Sequence, residues 1–347
     1  MWADIRRMSR LPALLAVLAL ATGSADAGVA TRQSTASWAA PQIRIVVAAG
    51  LMAPSASEFR PNDPLTRDEL AVVLASLGVP VSVESDPSRP VTVRELDARL
   101  VAAAGLGPAA RQIRLAAAAA GLQPTQWLGT ETVARMLGLR VNHPRDQEQL
   151  ELQLSQPATR AEAAYSIARL LTVSTSAVDA VRTAALSFAV PAVTTWQKVV
   201  LRRALRFVGA PYVWGGTSEK PQVLFGRPEP GGFDCSGLVW RVFKLEPFAN
   251  APSLAGIVKG RTTYAMSAEV HASARISRDD LAPGDLAFFG RRGPRSKPSQ
   301  IGHVAIYVGN GWIVHAYDRG VSLEPMTGWL DTSFAWGRSP LTEAGLE

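Results

Sequence analysis

The chain holds one cysteine, Cys235, in the run Gly231-Gly232-Phe233-Asp234-Cys235-Ser236-Gly237-Leu238-Val239-Trp240. A single thiol cannot form an internal disulfide, so Cys235 is either a small buried hydrophobe or a nucleophile. Two downstream histidines lie in strand-like runs, Gly302-His303-Val304 and Val314-His315-Ala316. A thiol within reach of an imidazole equips a cysteine hydrolase: sulfur attacks a carbonyl carbon and the ring moves the protons. Metal chemistry is the poorer reading, because these histidines lack the close spacing with carboxylates that zinc peptidases use. His143 and His271 fall outside the constellation.

The flanking residues say how these groups are positioned. Phe233-Asp234 followed by Cys235 to Phe243 reads as a turn into a helix, with Asp234 as N-cap and Gly231-Gly232 allowing a sharp entry. Cys235 then occupies the first turn, where free backbone N–H groups and the positive helix end favour thiolate. The same N–H groups can face a developing oxyanion. His303 to Val308 and Trp312 to Tyr317 flank Gly309-Asn310-Gly311, a hairpin signal. With a three-residue loop, Val308 opposes Trp312, Ala305 opposes His315 and His303 opposes Tyr317. The two histidines then share one face as diagonal neighbours, roughly 7 Å apart at the backbone. Val304, Ile306, Val308 and Val314 fall on the opposite, core-facing side. A two-residue Asn-Gly loop would put the histidines on opposite faces. The shared face assigns His303 as general base and His315 as its orienter.

Taken together, Gly209-Ala210-Pro211-Tyr212-Val213-Trp214-Gly215-Gly216, the Phe233 to Val239 run, Arg261-Thr262-Thr263, Leu281 to Phe289, Gly302 to Tyr307 and His315-Ala316 resemble the NlpC-type bacterial cell-wall cysteine peptidases. The match spans roughly residues 195 to 340. The resemblance implies a papain-like α+β domain with an antiparallel sheet. It also implies hydrolysis of peptidoglycan stem peptides, commonly between γ-D-glutamyl and a meso-diamino acid, with no cofactor. Cys235, His303 and His315 fall on the family's nucleophile, base and third polar residue, and Tyr212 on a tyrosine near the nucleophile. Asp234 and Ser236 fall on residues that flank the site and can recognise the free amine of a stem peptide. The same fold class supports amidase cleavage, acyl transfer and lipid deacylation. A non-catalytic wall-binding protein that keeps the fold is the alternative of a different class. Two segments are expanded, Thr217 to Gly232 and Arg291 to Gln300; the first is a groove wall, a lid or a surface excursion.

The N-terminal half reads as helical and weakly repetitive. Thr66-Arg67-Asp68-Glu69, Thr92-Val93-Arg94-Glu95 and Thr159-Arg160-Ala161-Glu162 each open an amphipathic run as a capping box, with Pro64, Pro90 and Pro157 two residues ahead. Three such units suggest a duplication. Ser37-Trp38-Ala39, Gly50-Leu51-Met52, Phe59-Arg60-Pro61-Asn62 and Leu65 to Leu70 resemble one full S-layer-homology repeat. That family implies an all-α three-repeat module docking on anionic secondary cell-wall polymers. Its Thr-Arg-Ala-Glu motif falls on Thr159 to Glu162 and nearly on Thr66 to Glu69, which makes Arg67 and Arg160 the candidate polymer contacts. In the middle unit Val93 stands where the arginine would be. Alternatively, both arginines are ordinary solvated residues of a first helical turn, where a cation opposes the macrodipole.

The ends and the charge complete the expectation. Arg6, Arg7 and Arg10, the apolar run Leu11 to Ala21, and Ala25-Asp26-Ala27 form an export signal, cleaved after Ala27. The apolar run is about half the ~20 residues a membrane span requires. The net charge of +7 favours polyanionic surfaces. Arginine is scattered and no aromatic-plus-basic module stands out, which argues against nucleic acid. The expected organisation is a signal over 1–27, a helical wall-targeting module over 28–172, a linker helix or tether over 173–193 and the peptidase domain over 194–343. The protein is expected to be secreted and associated with the cell wall.

Overall fold

The computed structural model describes residues 37–81 and 85–346. The export signal expected over 1–27 lies outside them. Among the described residues no helix is long and apolar enough to cross a membrane.

The first half is built of helices α1 (Ala40–Ala48), α2 (Arg67–Ser76), α3 (Val93–Ala103), α4 (Gly107–Ala119), α5 (Leu128–Met136), α6 (Arg160–Thr172) and α7 (Thr175–Ser187). Helices α2, α3 and α6 start at the three expected threonines. At Thr66 and Thr92 the box is complete, the threonine accepting from the N3 amide while the N3 glutamate accepts from the cap amide. At Thr159 only the threonine arm forms. The Glu162 carboxylate is drawn instead to Arg140 at 3.0 Å and to the His143 ring at 3.1 Å.

The residues between each proline and threonine close a ring. Leu65 N–H donates to Ala158 O, Ala158 N–H to Val91 O, and Val91 N–H to Leu65 O, at 2.8–2.9 Å. All three side chains are buried. Three short extended segments thereby satisfy one another's backbone groups inside an otherwise helical body. Within the segment 173–193, Thr175–Ser187 form α7, which is packed against the rest of the chain. Val178, Val181, Ala185 and Phe188 are buried, and Phe188 meets Trp312 edge-on at 4.9 Å.

The second half begins with α8 (Thr195–Leu205), capped by Thr194. Four very short strands follow, β1 (Thr217–Ser218), β2 (Gln222–Leu224), β3 (Arg227–Glu229) and β4 (Gly232–Phe233), then α9 (Cys235–Phe243) and α10 (Thr263–Ala268). The main sheet holds β5 (Leu286–Gly290), β6 (Ile301–Gly309), β7 (Trp312–Tyr317), β8 (Gly320–Pro325) and β9 (Phe334–Arg338), with α11 (Trp329–Ser333) before the last strand. The strand order is β8-β7-β6-β5-β9 and every pairing is antiparallel. Alternation along β6 decides its two faces. Val304, Ile306 and Val308 share a core with Leu238, Val239 and Val242 of α9, and Ala305 shares a second core with Phe289, Ile313 and Leu330.

The β6–β7 turn differs from expectation. Gly309 pairs with Trp312, leaving a two-residue loop, Asn310-Gly311, with φ of +50° and +78°, the signs of a type I′ turn. A bulge between Tyr307 and Gly309 shifts the register back, so Ile306 pairs with Val314 and Tyr307 with Ile313. That is the register the longer loop would have produced, and both histidines stay on one face.

The two halves share one hydrophobic core. Polar contacts join them as well: Arg135 Nη2 donates to Gly209 O at 2.7 Å, Arg319 Nη1 to Arg135 O at 2.9 Å, and Asn142 N–H to Asp318 O at 2.9 Å. Helix α5 therefore lies directly behind the loop that leads to Tyr212.

Candidate active site

Cys235 is the first residue of α9. Its N-cap, Asp234, accepts from the Gly237 amide, as the sequence suggests. The helix start is pressed against the loop 209–216. A Cβ on Gly237 would lie 1.8 Å from Gly216 O, so only glycine permits this approach. The amides of Phe233 and Asp234 donate to Pro211 O and Gly216 O, which holds the Tyr212 backbone against Phe233, two residues before the thiol. Burial is the main cause that raises the Tyr212 phenol well above its ordinary range, with neighbouring acidic groups such as Asp234 adding to it.

Asp234 has little left to offer a substrate amine. Its Oδ1 faces the Gly237 amide, the Ser236 hydroxyl at 3.0 Å and Arg261 Nη1 at 3.2 Å. Its Oδ2 accepts from the Gly215 amide at 2.9 Å and from Arg261 Nη2 at 3.3 Å. The Ser236 hydroxyl is also engaged, accepting from Arg261 Nη1 at 2.8 Å. Sequence reasoning placed Arg261 in a family motif without giving it a role. Its role here is to neutralise the cap and lock the 209–216 loop, through a further bond to Gly215 O at 2.8 Å.

The thiol behaves opposite to expectation. Burial, with the Asp234 charge second, pushes Cys235 up to about 12, against the downward pull of the Val304 and Ser236 amides and of Arg261. Desolvation outweighs the helix end, so the resting group is a neutral thiol. The amide of Val304 reaches the sulfur from β6, which brings the start of that strand, and the residue after His303, against the start of α9.

His303 and His315 meet as the register requires, with His303 Nε2 and His315 Nδ1 2.8 Å apart. Both are buried, at 5% and 1% exposure. Phe289, Tyr317 and Trp329 surround the His303 ring with centroids at 5.3–5.6 Å. Burial, then the neighbouring His315, holds His303 well below the usual imidazole value, so it rests as a neutral base. The outer nitrogen of His315 contacts Glu324 Oε1, which also accepts from the Ser322 hydroxyl at 3.1 Å. Glu324 was missed. The β7–β8 register pairs His315 with Ser322, so Glu324 is diagonal to His315, and extending the hairpin argument by one strand would have found it.

Around this centre, the expanded segment 217–232 carries the β2–β3 hairpin. Its Phe225 is exposed, and Arg145 of the helical half lies over both the Phe225 and Trp214 rings, at 5.2 and 5.6 Å. Glu148 accepts from the Trp214 amide at 2.7 Å and Gln153 Nε2 donates to Gly231 O.

The arginines proposed as polymer contacts are placed differently from each other. Arg160 is buried, donating to Phe59 O at 2.8 Å, to Met52 O and to Glu69, with its guanidinium 5.0 Å from the Phe59 ring centre. This arginine is spent inside the fold. Arg67 pairs with Glu95 at 2.9 Å and remains a fifth exposed, on the edge of a small cleft with Leu70, Leu74 and Arg99.

Residues 209–337 match the NlpC/P60 family. This part of the chain is an NlpC/P60 domain, of a cysteine peptidase family. Residues 31–71 match the S-layer homology domain. The chain is 36% identical over 145 residues to the bifunctional muramidase/DL-endopeptidase CwlT of Bacillus subtilis, covering 41% of this chain and 36% of that protein. It is 34% identical over 141 residues to the probable endopeptidase p60 of Listeria monocytogenes, covering 40% of this chain and 23% of that one. The chain thus spans well under half the length of these curated relatives. Among solved structures, the NlpC/p60 domain of the peptidoglycan hydrolase SagA matches at 26% identity and a TM-score of 0.29, covering 41% of this chain and 97% of that one.

Proposed function

We propose that the protein is an exported peptidoglycan hydrolase that cleaves stem-peptide amide bonds, as a D,L-endopeptidase, from a wall-associated position. The observation that carries the reading is the His303–His315 contact at 2.8 Å on the strand whose Val304 amide reaches the sole thiol. The CwlT match supports the D,L bond preference. In this mechanism His303 takes the thiol proton as Cys235 sulfur attacks the carbonyl carbon. The carbonyl π electrons move onto oxygen, opposite N–H donors at the start of α9 and the Tyr212 hydroxyl. Collapse of this intermediate expels the amine, which leaves with the proton from His303, and a thioacyl group remains on Cys235. Water, deprotonated by His303, then releases the acid.

The helical half acts, in this reading, as a three-repeat S-layer-homology module that holds the enzyme on an anionic wall polymer. The closed ring of Leu65, Val91 and Ala158 supports three equivalent units. Arg67 is the candidate contact on the surface, and the structural part falls to Arg160.

Incubating the purified chain with muropeptides and following new amino termini by mass spectrometry tests the reading. Cleavage by the wild type and none by Cys235→Ala is expected. Equal silence from both proteins, with both sedimenting with sacculi, would replace the enzyme by a wall-binding protein.

A further inference from the structure

Contact between two histidines leaves one question open: which nitrogen carries the proton between them. If His315 Nδ1 carried it, neutral His303 would hold its own proton on Nδ1 and could not accept one from sulfur there. Glu324 removes the ambiguity. A carboxylate only accepts hydrogen bonds, so the His315 Nε2 that meets it must be the N–H. Neutral His315 then presents a lone pair at Nδ1, and His303 must donate to it from Nε2. The remaining nitrogen of His303, Nδ1, is left as the free base.

We propose that Glu324 is a positioning residue for the thiol–imidazole site, fixing the His315–His303 tautomer and balancing the positive charge that forms when Cys235 gives up its proton. The consequence for turnover rests on the peptidase reading; the tautomer argument rests on geometry alone. In the step concerned the S–H bond breaks, its electrons stay on sulfur and the proton goes to His303 Nδ1. The new imidazolium donates to His315, whose far nitrogen donates to Glu324. The carboxylate is itself braced, by the Ser322 hydroxyl at 3.1 Å and the nearby charge of Arg319. His315 stacks on Tyr317 with ring centroids 6.2 Å apart. Burial opposes ionisation of Glu324, but the contact with His315 and these two groups together bring it below its ordinary value.

Because the chain has one cysteine, the relay can be read without any substrate. The full-length protein is alkylated with iodoacetamide between pH 5 and 9 and the modified fraction is followed by mass spectrometry. Glu324→Ala is expected to slow alkylation at pH 7 about tenfold, the effect of one pKa unit. Glu324→Gln, which keeps an acceptor without charge, is expected to fall between it and wild type. Ring-nitrogen NMR is expected to show His315 protonated at Nε2 in wild type and mixed in Glu324→Ala. Alkylation profiles of both variants that superimpose on wild type overturn the proposal. Should Glu324→Ala fail to fold, a wild-type profile in the isosteric Glu324→Gln overturns it alone. Muropeptide cleavage, measured in parallel, separates the two readings: a shifted alkylation profile with an inactive wild type leaves the relay standing and removes the peptidase.

Discussion

Arg160→Ala tests whether the shared Thr-Arg-Ala-Glu signature builds the helical half or serves a ligand. The side chain is 3% exposed and donates to two backbone carbonyls as well as to Glu69. Truncation leaves Phe59 O and Met52 O without a charged donor, each worth about 1.5 kcal/mol at the low end of such bonds. The ion pair adds less than a fully buried one. Glu69 is 29% exposed and keeps Arg60 at 3.5 Å, so about 1 kcal/mol remains after solvent screening. The expected loss is therefore about 4 kcal/mol. Arg67→Ala breaks a pair whose partners are 20% and 34% exposed, and about 1 kcal/mol is expected. Urea unfolding of the full chain, followed by far-UV circular dichroism and tryptophan fluorescence, measures both. Sedimentation with sacculi measures binding under native conditions. If Arg160→Ala unfolds within 1 kcal/mol of wild type yet no longer sediments, the arginine serves a ligand and the structural assignment is wrong.

Three further outcomes follow from the same contacts. With His303 held below its ordinary value and the thiol at about 12, kcat/KM for an uncharged peptide should fall only on the acid side of pH 6.5, as His303 gains a proton. A rate that drops between pH 7 and 9 contradicts this. Asp97 is buried beside Glu131, with Arg140 Nε 3.9 Å from Oδ2, and burial raises it; burial and the Asp97 charge raise Glu131 to about 8. Raised carboxyls bind protons more tightly in the fold, so their stabilisation is complete below pH 4 and is lost as pH rises towards 8. Asp97→Asn should flatten that decline, raising the thermal midpoint at pH 8.5 more than at pH 5; an equal shift at both counts against it. Gly237→Ala would drive a methyl into Gly216 O, and a loss of about 2 kcal/mol with displaced Cys235 is expected. Wild-type stability and alkylation rate in that variant would show that the loop yields freely.

Features carried by a few adjacent residues were legible in the sequence. The turn into α9, its Asp234 cap and the helix starts at Thr66, Thr92 and Thr159 all depend on local hydrogen bonds, and each formed. The shared face of His303 and His315 was reached with the wrong loop length, because one bulge in β6 offsets one residue missing from the turn. The thiol was misjudged for a different reason. Helix position can be read along the chain, whereas desolvation depends on the strands and loops packed over it, and desolvation was the larger effect.

The helix start at Thr92 shows a local departure from the pattern at Thr66 and Thr159. Around the ring, Arg160 next to Thr159 reaches Glu69, and Arg67 next to Thr66 reaches Glu95. By that pattern residue 93, next to Thr92, would pair with Glu162, but Val93 carries no charge. Glu162 instead meets Arg140 on Oε2 and the His143 ring on Oε1, and with both oxygens engaged it does not return to cap its own helix. The segment that carries Arg140 and His143 continues through Asn142, Arg145, Glu148 and Gln153, which meet Asp318, Trp214 and Gly231 of the NlpC/P60 domain. The contacts of Arg140 and His143 with Glu162 anchor the stretch that fastens the helical half against the NlpC/P60 domain.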